Sequence, residues 1–304
     1  MKNNVLLAAF LGCAAAVSAQ QPQRMQFTIE GTANDTIYLA NYFGNKLYYA
    51  DTTVANAKGV AVFNKAAGYK AGVYAVVVPG PKYFEFLAGE PVVEMKSDTA
   101  ALNEHLTVER SLENQLFQGY VRFLGEKKQE AEKLRQKMEA TADPIAKGAI
   151  MERLKGLDSA MINYQKELVA NNPNTLAGYI VKMSMAPANT EVYKADGTLD
   201  SAASYYSYRH HFWDNTDLKD PRNLRIPVFQ NRFDEYIGKV IPQIPDTINH
   251  YADDLINRMD DGGDLFKFAV NGITYKYETS DVMGMDAVFV HMAKTYYCDN
   301  GDRK

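Results

Sequence analysis

The stretch YYSYRHHFWDNTDLKDPRNLRIPVFQNRFDEYIGKV, residues 205–240, contains the only Trp of the chain, Trp213, and two of its five His. Its aromatic residues recur at helical spacing up to Trp213. A polar turn follows through Asp214–Asn223, and Pro227 suits the first position of a second helix. Aromatics packed this densely at such spacing are the mark of a helical core, with stacking on a ligand as the rival reading.

Helical periodicity extends outward from this stretch in both directions. Upstream it begins at Ser111, where Leu112, Leu116, Tyr120, Phe123 and Leu124 form an apolar stripe. Charges dominate residues 126–139. Thr141-Ala142-Asp143-Pro144 is a break, with Asp143 able to cap and Pro144 able to open the next helix, which runs to about Ala170. The two helices form a long hairpin with a solvated far end. Further helices are expected at Leu176–Met185, Thr198–Trp213, Pro227–Ile241, Asp246–Met259, Gly263–Tyr277 and Asp281–Tyr297, with Asp246 and Asp281 as caps.

From Met25 to Lys96 the period is two. Phe27/Ile29, Ile37/Leu39, Leu47/Tyr49, Val60/Val62, Val73–Val77, Phe84/Phe86 and Val92–Met95 alternate with turn formers such as Gly44-Asn45 and Pro79-Gly80-Pro81. The fold class is therefore α+β in two domains. An N-terminal antiparallel β-sandwich at residues 24–105 precedes an all-α domain with a long hairpin at 106–299, and 300–304 form a tail.

Residues 1–19 have the form of an export signal: Lys2, an apolar run over Val5–Val17, and the small-residue pattern Val17-Ser18-Ala19. Cleavage after Ala19 gives a periplasmic or otherwise exported protein; lipid attachment at Cys13 is the weaker reading. Without Lys2 the formal charge goes from −4 to −5, since −4 minus +1 is −5. A mildly acidic chain without a basic block does not suit nucleic acid, and no later run suits a membrane span. Cleavage leaves Cys298 as the one thiol, which excludes an intrachain disulfide.

Two groups of residues resemble known families. Phe27–Gly31, Ile37-Tyr38-Leu39-Ala40, Asp51–Val54, Gly59–Phe63, Gly72–Tyr74 and Phe84–Leu87 resemble an N-terminal β-sandwich domain of unknown function. His210–Trp213, Asn215–Leu218, Pro227–Phe229, Asp246–Ile248 and Met283–Asp286 through Tyr297 resemble the helical domain of unknown function that follows it. In exported Gram-negative proteins this pair precedes a thioredoxin-like domain of the alkyl hydroperoxide reductase / thiol-specific antioxidant type. The resemblance thus implies a thioredoxin-fold domain as partner. The Cys-x-x-Cys of such domains has no counterpart here, so no redox residue carries over.

The chemistry within the chain is sparse. His210 and His211 are helix neighbours about 100° apart and cannot share a metal, while Asp214 stands at i+4 from His210. His210, His211, Trp213 and Asp214 are the candidates for a binding surface; catalytic, cofactor and metal residues are not assigned, and no cofactor is expected. Cys298 lies seven residues from His291, about 10 Å along a helix. Asp260–Asp264 lacks the ligand spacing of a calcium loop. Six Asp-Ser/Thr tripeptides, beginning at Asp35, Asp51, Asp98, Asp158, Asp200 and Asp246, resemble the O-glycosylation tripeptide of some Gram-negative envelopes. The expected function is a non-catalytic accessory or binding module of the cell envelope with a protein partner. The alternatives are the N-terminal part of a thiol–disulfide oxidoreductase and a periplasmic ligand-binding protein.

Overall fold

A computed structural model describes residues 23–188 and 190–298; the expected export signal, Cys13 and the expected tail lie outside them. Eight strands come first: β1 Gln23–Glu30, β2 Thr36–Phe43, β3 Lys46–Val54, β4 Val60–Lys65, β5 Gly72–Val78, β6 Lys82–Ala88, β7 Val92–Asp98 and β8 Thr107–Arg110. They form two four-stranded sheets, ordered β4-β1-β7-β8 and β3-β2-β5-β6. Every pairing is antiparallel except β1 with β7, which is parallel. The inner faces make the sandwich core. Phe27 is fully buried and meets Phe63, Phe84 and Phe86 edge-on, with centroids 6.1, 5.8 and 4.9 Å away, a geometry that suits the ring quadrupoles.

The helices follow: α1 Leu112–Ala140, α2 Pro144–Asn171, α3 Leu176–Ser184, α4 Ser201–His211, α5 Pro227–Glu235, α6 Pro245–Asn257, α7 Asp264–Glu278 and α8 Asp286–Met292. Their starts are set locally. Ser111, Asp143, Thr175 and Asp200 each accept a backbone N–H of their own first turn, and Pro144, Pro227 and Pro245 occupy first-turn positions. Two expected caps are displaced. Pro245 opens α6 one residue early, which moves Asp246 into the first turn. Asp281 caps nothing, because Gly284 has φ 86 and α8 opens only at Asp286. Both α5 and α8 end in a π turn, at Tyr236–Val240 and Ala293–Tyr297.

The outer face of β3-β2-β5-β6 joins the two units. Tyr42, Val73 and Leu87 on that face belong to the same buried cluster as Trp213, Phe229, Ile256 and Ile273 of the helices. Gly44, at φ 62 in the β2–β3 turn, donates to the Leu224 carbonyl at 2.8 Å, and Arg225 Nε donates to the Ala71 carbonyl at 2.9 Å. Gly72 lies so close to Arg225 that an added Cβ would sit 2.4 Å from its Cβ.

A buried polar tie joins α1 to β6, an edge strand. Asn114 is fully buried. Its Oδ1 accepts from the Leu87 N–H at 2.7 Å, and its Nδ2 donates to the Leu87 carbonyl at 2.9 Å. One carboxamide thus replaces a neighbouring strand. Glu90 accepts from the Leu112 N–H at 3.1 Å and from the Ser111 hydroxyl, fixing the start of α1. Glu113 accepts from the N–H groups of Leu176 and Ala177, both at 2.8 Å, so an anion from α1 sits at the positive end of α3.

Replacing Asn114 by Ala strands two buried backbone groups. The expected loss is about 2–4 kcal/mol in urea unfolding, with the two units still melting together. Glu113→Gln keeps the shape but turns one acceptor oxygen into an NH2 that faces the Leu176 or Ala177 N–H, so it should cost about 1–3 kcal/mol.

Candidate functional site

A groove of about 640 Å³ opens where the two units meet. One wall is the β6 edge with Lys82, Tyr83 and Glu85. The facing wall is α1 with Phe117, Gln118 and Val121, and the loop from Ala100 to Glu104 closes one end. Asn114 and Gln118 stand at i and i+4, so both project onto the same strip of α1. Gln118 Nε2 donates to the Glu85 carbonyl at 2.7 Å, and Asn103 Nδ2 donates to the Tyr83 carbonyl at 3.3 Å. The Glu85 carboxylate accepts from the Tyr42 hydroxyl, and burial together with that bond raises the Tyr42 pKa.

The closing loop is held by Asp98. Its Oδ1 accepts from the N–H groups of Ala100 and Ala101, each at 2.9 Å, and its Oδ2 lies 2.6 Å from His105 Nδ1. The backbone bond from Ala101, followed by the His105 contact, lowers the Asp98 pKa. Lys82 Nζ ties the loop to β6 through the Thr99 carbonyl at 3.2 Å, and Ser97 Oγ donates to the Leu102 carbonyl at 2.6 Å.

The four residues singled out from sequence do not assemble into one surface. Trp213 is 1 % exposed and packs on Phe212, Phe229 and Tyr236. It is core, because the turn after α4 folds the indole inward. Asp214 bonds His211, at i+3, and not His210; the Nδ1–Oδ2 distance is 2.7 Å in a pair whose side chains are 43 % and 54 % exposed. His210 is exposed and stacks parallel to Tyr206, centroids 6.5 Å apart. The aromatic stripe divides: Phe212, Phe229, Phe233 and Tyr236 are buried with Trp213, whereas Tyr205 and Tyr206 of α4 are exposed and Tyr208 is half-buried. Arg232 is also buried: it lies over the Phe212 ring at 4.2 Å and donates to the Phe212 carbonyl at the end of α4. A cation there suits the negative end of the helix.

One constellation has no precedent in the sequence reading. His291 Nε2 lies 2.9 Å from Asp253 Oδ2, and the Tyr296 hydroxyl donates to Asp253 Oδ1 at 2.7 Å. These residues tie α6 to α8 and its π turn. His291 is directed at Asp253, and exposed Cys298 closes the π turn through its N–H to the Ala293 carbonyl at 3.1 Å. Nothing in the spacing of Asp253 and His291, 38 residues apart, could have signalled their meeting. Among the described residues, no group of three His, Cys, Asp or Glu gathers to hold a metal ion, and no helix is long and apolar enough to cross a membrane. Within the glycosylation-like tripeptides, Thr52, Ser159 and Ser201 are exposed.

Fold and groove together define a two-part α+β protein with an open cleft at its joint. Residues 181–300 match a family described as a domain of unknown function, DUF5106. The match begins within α3 and takes in α4 to α8, including the stretch around Trp213. That description carries no link to thioredoxin-like domains. No curated protein matches the chain.

Two outcomes follow from this geometry. Truncating Trp213 to Ala should cost about 3–5 kcal/mol in denaturant unfolding, whereas His210→Ala should stay within about 0.5 kcal/mol. The groove loop should also respond to acid. The Asp98 carboxyl is more acidic folded than unfolded, so its contacts act fully above the unfolded value near 3.9 and are lost as pH falls through the lower folded value. Amide exchange at Ala100 and Ala101 should therefore stay slow at neutral pH. It should accelerate, after correction for intrinsic rates, only below the ordinary carboxylate range, and Asp98→Asn should abolish that dependence.

Proposed function

We propose that the chain is an exported accessory module of the cell envelope that binds and positions a protein partner and performs no reaction itself. The observation that carries this reading is the groove at the joint, framed by both units and anchored on each side by side chains already committed to the fold. Glu85 serves Tyr42, Gln118 serves the Glu85 carbonyl, and Lys82 serves the Thr99 carbonyl. A cleft whose polar groups are structurally engaged suits recognition better than turnover. Export rests on Lys2, the apolar run and Val17-Ser18-Ala19. The resemblance to domains that precede thioredoxin-like domains favours a thioredoxin-fold partner, and it equally favours service as the N-terminal part of a thiol–disulfide oxidoreductase. The ligand-binding alternative rests on the aromatic stripe, of which Trp213, Phe212, Phe229, Phe233 and Tyr236 are buried while Tyr205 and Tyr206 of α4 remain exposed.

Calorimetric titration of the purified chain with thioredoxin-fold proteins of the same envelope tests the partner. A micromolar one-to-one complex is expected, and the chain alone should leave insulin disulfides intact. Heatless titrations across that set would remove the thioredoxin-fold partner. Insulin reduction by the chain alone would remove the non-catalytic role.

A further inference from the structure

The register of β5 with β6 fixes which backbone groups of β6 point away from the sheet. Tyr74 and Val76 pair with Phe86 and Phe84, and Asn114 takes both backbone groups of Leu87. In an antiparallel ladder such roles alternate, so Tyr83 and Glu85, like Leu87, turn their N–H and C=O groups outward along the free edge. Side chains already occupy the carbonyls: Asn103 at Tyr83, Gln118 at Glu85 and Asn114 at Leu87. Asn114 also takes the Leu87 N–H. The N–H groups of Tyr83 and Glu85 have no acceptor among the described residues, and both residues line the groove.

We infer that the groove takes an extended peptide segment of a partner protein as an added strand on β6, with alternate peptide carbonyls accepting from the Tyr83 and Glu85 N–H groups. Two residues along a strand span about 6.7 Å, and alternate carbonyls of any extended chain repeat at the same distance. An edge with its acceptors engaged and its donors free selects a ligand offering acceptors at that repeat. Exposed Val121, with the edge of the largely buried Phe117 beside it, supplies the apolar surface for peptide side chains. The wall mixes Lys82 with Glu85 and Glu104, so no net charge is demanded of the peptide. A volume of about 640 Å³ has room for a short segment and not for a folded domain. The inference rests on the binding half of the proposed function; it requires neither export nor a thioredoxin-fold partner.

The test pans a displayed library of random peptides against the full chain, then follows an enriched peptide by amide-resolved NMR. The Tyr83 and Glu85 amides should shift downfield and become protected from exchange. Tyr83→Pro removes one donor at an edge position where proline is tolerated, and should weaken binding about tenfold. Val121→Glu, on an exposed part of α1, should weaken it similarly without affecting folding, which guards against a misfolded proline variant. Three results overturn the inference: no enriched peptide, shifts confined to other regions, or concentration-dependent pairing of two copies through β6. Peptide binding without heat in the thioredoxin-fold titrations leaves this site standing and removes only that partner. The reverse pattern removes the site and leaves the partner.

Discussion

The structure depends on how the free edge of β6 is closed. A sheet edge exposes unpaired N–H and C=O groups, and burying such an edge without partners costs a large part of a protein's net stability. Asn114 meets this constraint with one carboxamide that reproduces the donor and acceptor of a backbone. Because that Asn sits in the first turn of α1, the direction of the helix is fixed by a strand. Glu113, next to it, fixes α3 in turn by accepting from the Leu176 and Ala177 N–H groups. Two consecutive residues therefore transmit the position of the sheet into the helical unit.

Packing reinforces that polar path. The outer face of the second sheet supplies Tyr42, Val73 and Leu87 to the helical core, so the two units share apolar surface in place of a linker. The π turn that ends α5 buries Tyr236, Ile237 and Val240, and Tyr236 is pressed against Trp213. Residues with the look of chemistry serve similar ends. His291, Asp253 and Tyr296 tie helices together, and Arg232 neutralises the end of α4.

Much of the architecture was legible from the residues. Alternation at Phe27/Ile29 and Phe84/Phe86 marked strands because one face of each is dry. Ser111 and the Asp143-Pro144 pair marked helix starts because capping is local chemistry. The parallel pairing of β1 with β7 was not legible, since alternation reveals a buried face but not a neighbour. β8 was missed because Val108 is its one apolar residue and its pairing with β7 supplies the rest. Asp281 misled because a cap residue says nothing of Gly284 three positions later. The groove was the least legible feature. Gln118 and Asn103 are ordinary polar residues until the register of β6 shows which carbonyls they hold. The nearest signal was Asn114 with Gln118 at i+4, beside the apolar positions of α1.

Helix α1 has 29 residues and is clasped to the sheet near its first turns, while its far half packs chiefly on α2. At about 1.5 Å per residue the arm is roughly 43 Å long. A tilt of about 5° at the clasp displaces the tip by about 4 Å over that length. The angle at which Leu87 and Asn114 hold the start of α1 thus sets where the far end of the hairpin stands, and a small difference in that angle would be a large one at the tip.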